Sequence, residues 1–287
     1  MKLTLKDLNK VGKFTAIFQH LKQLVDCIGI YFDDNGLYIQ GMDNSQICLF
    51  ECKLHSSWFD EYSFDDGDDK RVCMNTAILC KVICAVDDKS MIEISYSGTP
   101  DIINIKFGDP TDCVLNKCFE ISLMEIDSEL MTIPDTEAQV DLSIDTTKFS
   151  KLVTQLLIFS DVLTLTFSDE DIKFRASGTE GAMSSTIDLD DVNEYAIGEE
   201  LELSRSYSLT YLNMMCSFAK LNKNIMMGFS EDMPMSLVYK LDDEESSEDN
   251  NNESDEEKEQ EQHEEESKPK NNCYVSFYLA PKMDEDD

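Results

Sequence analysis

Apolar residues recur at helical spacing along Leu8–Val25. There Phe14, Ile17, Phe18, Leu21, Leu24 and Val25 form one stripe, with Thr15, Ala16, Gln19, Lys22 and Gln23 off it. The same spacing returns in Val72–Val86, Thr146–Ser160 and Tyr207–Ile225. In Thr146–Ser160 the stripe is Phe149, Leu152, Val153 and Leu156, with Lys151 and Thr154 opposite. Between these segments the pattern alternates with period two, as in Leu37-Tyr38-Ile39-Gln40 and Ile172-Lys173-Phe174-Arg175. Asp33-Asp34-Asn35-Gly36 reads as a hairpin turn. The pattern predicts four helices separated by antiparallel strands.

The helices come in equivalent pairs. At an offset of 135, Lys13-Phe14 meets Lys148-Phe149, Ile17 meets Leu152, Leu21 meets Leu156, Phe32 meets Phe167 and Ile39 meets Phe174. The same offset serves a distant segment, where Met74 falls on Leu209, Leu79 on Met214, Ile83 on Phe218 and Ile94 on Phe229. Pro100 pairs with Pro234 after a one-residue slip. One offset serving two separate segments implies duplication, and each half reads as helix, strands, helix, strands. The expected class is α+β: two similar domains of antiparallel sheet, each with two helices on one sheet face. No Gly-rich phosphate loop sits in a βαβ context, which disfavours a nucleotide-binding fold.

Two segments stand outside this pattern. Residues 123–135 join the halves; they are acidic yet carry Leu123, Met124, Ile126, Leu130, Met131 and Ile133, so they should lie along the surface and leave an apolar patch for a partner. The domains are thus 1–122 and 136–287. Within the second, Asp242 to Lys270 holds 15 acids and three lysines with no aromatic or β-branched residue, so disorder is expected over 242–272. It interrupts a hairpin of Met235–Leu241 and Cys273–Leu279. A second acidic run, Asp284–Asp287, follows it.

Charge sharpens the helix pattern. The chain has 287 residues, 59 of them acidic, and a net charge of −35, yet the four helical segments hold eight lysines and no Asp or Glu. A polyanion of this kind repels nucleic acid unless one surface is kept free of carboxylates. The ten cysteines include no Cys-x-x-Cys pair. Cys80/Cys84 falls in a helical pattern and Cys48/Cys52 in a strand-like one, so buried thiols in a reducing compartment are expected rather than zinc or disulfides. The histidines are His20, His55 and His263, the last in the acidic tract, so a Ser-His-Asp or Cys-His site is not expected, nor any enzyme activity. The segment Met-Lys-Leu-Thr-Leu-Lys-Asp has no apolar core of a signal peptide, and no apolar run approaches a membrane span.

Several stretches resemble the eukaryotic-type DNA sliding clamp, the proliferating cell nuclear antigen family. Gly36-Leu-Tyr-Ile-Gln-Gly-Met-Asp43 is similar to its "G-hydrophobic-x-hydrophobic-Q-x-M-D" strand and loop. Leu123-Met-Glu-Ile-Asp127 with Ile133-Pro134 is similar to its interdomain connecting loop. Phe174-Arg-Ala-Ser-Gly178, Tyr211-Leu-Asn213 and Tyr278-Leu-Ala-Pro-Lys282 resemble three further signatures. The resemblance covers the chain outside 242–272. It implies a homotrimeric ring whose helices line a hole for duplex DNA, a polymerase processivity factor and a docking platform for replication and repair proteins, with no cofactor or metal. It also implies a clamp loader as partner, and a nucleus or a viral replication compartment as location.

By family position Lys22, Lys81 and Lys151 face DNA. Thr15 and Ala16, Cys84, Thr154, Ile158 and Ser217 stand where family members commonly carry further basic groups or a histidine. Lys10, Lys13, Lys148, Lys220 and Lys223 are expected to compensate. A second site takes PIP-box-type partner peptides. Its matching residues are Met42, Gln46, Ile47 and Leu49 in the first half, Met131, Ile133 and Pro134 in the connector, and Pro234, Tyr278, Ala280 and Pro281 in the second half. Subunit contacts in the family pair strand edges, here Val114–Ile121 against Ala182–Leu189, with Phe119, Ile121, Met183 and Ile187 as contact residues. The acidic insert is expected on the ring face opposite the peptide pocket. Two rivals stay open at this point: a monomeric polymerase accessory factor with one open basic face, and an acidic chaperone-like protein acting through 242–270.

Overall fold

In a computed structural model of the chain, residues 1–65, 71–87, 90–98, 101–108, 117–125, 129–133, 137–198, 201–241 and 273–282 are described. The first half runs β1 (Lys2–Leu5), α1 (Leu8–Leu21), β2 (Cys27–Asp33), β3 (Gly36–Met42), β4 (Cys48–His55), β5 (Glu61–Ser63), β6 (Arg71–Asn75), α2 (Thr76–Ile83), β7 (Met91–Ser95), β8 (Ile102–Gly108) and β9 (Lys117–Ser122). The second repeats that order: β10 (Val140–Asp145), α3 (Thr146–Leu156), β11 (Val162–Phe167), β12 (Ile172–Gly178), β13 (Gly181–Ile187), β14 (Glu194–Ile197), β15 (Leu203–Ser208), α4 (Leu209–Cys216), β16 (Asn224–Phe229), β17 (Met235–Lys240) and β18 (Tyr274–Leu279). The duplication therefore extends to every described strand and helix.

Two corrections to the sequence pattern follow. A strand precedes the first helix of each half, and all four helices are shorter than their apolar segments, α2 and α4 at both ends. Asn75 ends β6 and caps α2, its side chain accepting the Ile78 N–H, so Val72–Asn75 is strand rather than helix. Likewise Tyr207 and Ser208 close β15, and α4 stops at Cys216.

The strands form three antiparallel sheets. Their orders are β5-β1-β7-β8-β9, β14-β10-β16-β17-β18-β4-β3-β2-β6 and β13-β12-β11-β15. The nine-stranded sheet crosses from one half to the other where β18 pairs with β4, Phe277 opposite Phe50. Phe50, Phe218 and Phe277 pack in tilted and edge-to-face contacts at that junction, and one continuous apolar core serves both halves. Helices α1 and α2 pack together on one half, α3 and α4 on the other.

The insert 242–272 and the run Asp284–Asp287 lie outside the described residues, as do Pro100, Ile126 and Pro134. The flanking Leu241 and Cys273 are both buried, and the Leu241 N–H donates to the Cys273 carbonyl at 2.8 Å.

Candidate functional site: a connector-roofed cleft and an acid-free helix face

The cleft begins at a turn held by one carboxylate. Asp43 is buried at the end of β3, and its Oδ1 accepts the N–H groups of Ile47 and Cys48, each at 2.7 Å. Its Oδ2 accepts the Ser45 N–H at 2.9 Å and the Tyr211 hydroxyl of α4 at 2.6 Å. Burial pushes the Asp43 pKa up, but the bonds from Tyr211 and the three backbone groups outweigh it, and the carboxyl sits below its ordinary value. The turn carries Gln46 at φ 59°, a left-handed conformation that places Gln46 and Ile47 on the cleft wall.

The connector forms the roof. Gln40 of β3 clasps it twice: Nε2 donates to the Met131 carbonyl at 2.9 Å, and the Met131 N–H donates to Oε1 at 2.7 Å. At its start, Leu123 N–H donates to Asp101 and Met124 N–H to Cys73, both to carbonyls. From the second half, the Ala280 N–H donates to the Ile47 carbonyl at 3.0 Å, extending the β18–β4 ladder to the cleft edge. Tyr278 lies on the floor, its phenol pKa raised by burial.

The cleft, open on one side to solvent, measures about 400 Å³. Of the residues expected from the sequence, it gathers Met42, Gln46, Ile47 and Leu49 from the first half, Met131 and Ile133 from the connector, and Pro234, Tyr278 and Ala280 from the second. Pro281 is described but does not line it, and Pro134 lies outside the described residues. The cleft also uses Thr132, Ala138, Gly228, Ser230, Met233, Ser236 and Val238, which sequence patterning missed. Small residues carry little periodic signal; the strand pairing of Gly228 with Ser236 on the outer sheet face would have been needed to find them.

The four helices form the second candidate surface. None contains an Asp or Glu; acids flank them only as caps, Asp7 accepting from the Lys10 N–H and Asp145 from the Lys148 N–H. Lys22, Lys81, Lys148, Lys151, Lys220 and Lys223 are exposed, and among the described residues none forms an ion pair. Burial, with the nearby charges of Lys220 and Lys22, lowers the His20 pKa, so lysines of both halves converge at the junction. His20 itself faces the Phe218 ring at 5.5 Å.

Two expected DNA-facing lysines are directed elsewhere. Lys13 is buried at 9% exposure, and its Nζ donates to the Leu241 carbonyl at 2.9 Å. Lys10 donates to the Trp58 carbonyl at 2.8 Å and lies over that indole. Ala16, expected off the apolar stripe, is buried, because α1 is packed over a wider arc than the stripe implied. Ile158, by contrast, stands 74% exposed.

Both strands expected at subunit contacts are sheet edges. Among the described residues β9 pairs only with β8, and β13 only with β12. Phe119 is half-buried against Phe107 at 5.6 Å and Ile121 is buried. Met183 and Ile187 are half-buried against the core. Residues 114–116 of the expected strand lie outside the described residues.

The chain matches two family models, the N-terminal domain of proliferating cell nuclear antigen over residues 6–130 and the C-terminal domain over residues 132–248. The chain belongs to the proliferating cell nuclear antigen family. Proliferating cell nuclear antigen of Chaetomium thermophilum is 26% identical to it over 289 aligned residues, covering 98% of each chain. As a member of that family, with its two-domain α+β fold, the chain is a DNA sliding clamp, a processivity factor of DNA replication. Among the described residues no helix is long and apolar enough to cross a membrane, and no group of three or more His, Cys, Asp or Glu is arranged to hold a metal. The described cysteines are free; Cys48, Cys52, Cys73, Cys80, Cys216 and Cys273 are buried, and burial raises the Cys48 pKa to about 12.

Proposed function

We propose that three copies of the chain close a ring around duplex DNA, and that the connector-roofed cleft docks PIP-box-type peptides of a polymerase, a clamp loader and other replication and repair proteins. Residues 1–122 and 136–287 act as the two clamp domains of each copy, and 123–135 as the connector. The observation that carries the docking reading is the cleft itself: an apolar space of about 400 Å³ assembled from both halves and the connector. Two strand edges, β9 and β13, support the ring, since closure pairs them with each other and leaves neither of the two open to aggregation. Lys22, Lys81, Lys148, Lys151, Lys220 and Lys223 supply the DNA contacts, on or just beyond helices that bear no carboxylate. The reading is of a non-catalytic scaffold acting in a nucleus or a viral replication compartment.

The deciding experiment is the solution mass of the purified chain. A ring gives about 98 kDa, three times 32.7 kDa. A globular species at 32.7 kDa would favour a monomeric accessory factor instead. Ile133→Ser tests the cleft: weaker peptide binding in calorimetry is expected, by a few kcal/mol, the scale of a buried hot spot.

A further inference from the structure

Helix α2 and its C-cap carry two cysteines one turn apart, Cys80 and Cys84. Their sulfurs lie 3.9 Å apart, in hydrogen-bond contact. The spacing i, i+4 puts both on one helix face. Cys80 is buried, and its thiol donates to the Gln19 carbonyl of α1 at 3.5 Å, which holds that sulfur against the neighbouring helix. Cys84 is exposed. Burial raises the Cys84 pKa and Cys80 adds to the rise, while the positive charge of Lys22 opposes both. The pair therefore sits beside Lys22, one sulfur fixed and the other open to solvent.

The two sulfurs do not close a disulfide without moving backbone. Side chains at i and i+4 of a helix have Cβ atoms about 5–6 Å apart, whereas a disulfide needs about 3.5–4.5 Å. Cys84 keeps helical angles, φ −71° and ψ −6°, and its N–H donates to the Cys80 carbonyl, so helical spacing holds at this end. One atom inserted between the sulfurs lengthens the link and removes the mismatch. Zinc is a poor candidate for that atom, because its sites take four protein ligands, or three with a water. Among the described residues no group of three or more His, Cys, Asp or Glu gathers to hold a metal. The site offers two donors.

We propose that Cys80 and Cys84 form a covalent binding site for a monosubstituted trivalent arsenical, a ligand that bonds two sulfurs and needs no third. The bonds balance as a condensation. In R–As=O the As=O bond and two thiol S–H bonds break, two As–S bonds form, and the oxygen leaves as water with both thiol hydrogens. Arsenic stays trivalent, so nothing is oxidised or reduced. Cys84 is reached first because it is exposed, and Cys80 then closes the chelate from 3.9 Å away. The bridge replaces two small thiols by a bulky uncharged group beside Lys22. The site rests on neither the ring nor the docking cleft.

The test is intact-mass spectrometry of the reduced full-length chain after equimolar phenylarsine oxide. One phenylarsenic group in place of two thiol hydrogens is expected, mapping to the peptide that holds Cys80 and Cys84. Two-point attachment should hold it at least about a hundredfold tighter than a single thiol does. The adduct then survives a competing monothiol and is stripped by a small dithiol. Cys84→Ser, at the exposed position, and Cys80→Ser should each abolish the monothiol-resistant adduct, with circular dichroism reporting the fold. Cys27→Ser and Cys118→Ser, which alter exposed cysteines on other elements, should keep it. A resistant adduct that persists in Cys84→Ser, or none in the parent chain, would overturn the site. Peroxide should leave the two thiols unlinked; a Cys80–Cys84 disulfide in high yield would overturn the geometric basis for a bridging atom.

Discussion

Tyr211 donates its phenolic O–H to Asp43 Oδ2 at 2.6 Å, joining α4 of the second half to the β3–β4 turn of the first. The same carboxylate takes the N–H groups of Ser45, Ile47 and Cys48. One side chain thus shapes the turn and fastens it to the other half. It also holds Gln46 in a left-handed conformation that costs an L-residue on the order of 1 kcal/mol. Tyr211→Phe removes one bond to a charged group and leaves the three within the turn. A loss of about 1.5–3 kcal/mol in urea unfolding is expected. Asp43→Ala removes all four and should cost more while also weakening peptide binding in the cleft. Equal losses in the two variants would show that the turn holds its shape without the carboxylate.

The sign of the acid response follows from the same contact. The Asp43 carboxyl in the folded chain titrates below its ordinary value of 3.8. Its contribution is therefore complete above pH 4 or so and is lost as pH falls through the folded value. The destabilisation caused by Asp43→Asn should be larger at pH 7 than at pH 3. A penalty independent of pH, measured by urea midpoints across that range, would remove Asp43 from the acid response.

Lys22→Glu with Lys81→Glu places two carboxylates on helices that carry none. Duplex binding is expected to fall steeply, with the salt dependence of the remainder reduced by roughly one to two phosphate contacts. The solution mass should stay unchanged. Lys13→Glu should behave differently, because Lys13 donates to the Leu241 carbonyl beneath the surface. Its signature is lost stability, at a cost of about 3 kcal/mol or more for an unpaired buried charge. Undiminished polymerase stimulation on primed circular DNA by the Lys22/Lys81 double variant would remove those lysines from the DNA surface.

Lys10 and Lys13 show where the sequence became unreadable. The stripe Phe14, Ile17, Phe18 and Leu21 was legible because its period reports the helix and its buried face. What packs beside that face was not: Lys13 meets a carbonyl 228 residues away, a contact no local pattern encodes. The β17–β18 hairpin and its interruption were legible from alternation on either side of a charged tract. The leading strand Lys2–Leu5 was not, since four residues alternate too briefly to register. In the cleft, Met42, Ile47, Leu49, Met131, Ile133 and Tyr278 were found through the family motifs, whereas Met233 and Val238 were not. Ala138, Gly228 and Ser236 were missed too, because their contribution is the room they leave.

The ring reading makes a demand on two strand edges. Met183 of β13 is half-buried, and its strand carries no charge along Gly181–Ile187. Met183→Glu places a carboxylate on that edge, a device that blocks edge pairing. The expected mass falls from about 98 kDa to 32.7 kDa with the far-ultraviolet dichroism of the parent chain. A folded variant that keeps the larger mass would move the subunit contact away from β13.

Gln40 tests whether the connector acts as a fixed roof. Its amide is the described clasp on Met131, giving one bond and accepting another. Gln40→Ala deletes both without touching any cleft-lining side chain. Because Gln40 is only half-buried, water can replace the lost partners, and the fold should lose no more than about 1–2 kcal/mol. The connector would then have to be ordered by the peptide itself, an entropic cost that appears as a lower apparent affinity. Calorimetry should therefore report weaker binding with a more unfavourable entropy, whereas amide exchange at Met131 should quicken in the free protein. Slow exchange at Met131 in Gln40→Ala, together with parent-like peptide affinity, would mean that the roof is held by contacts elsewhere along 123–133.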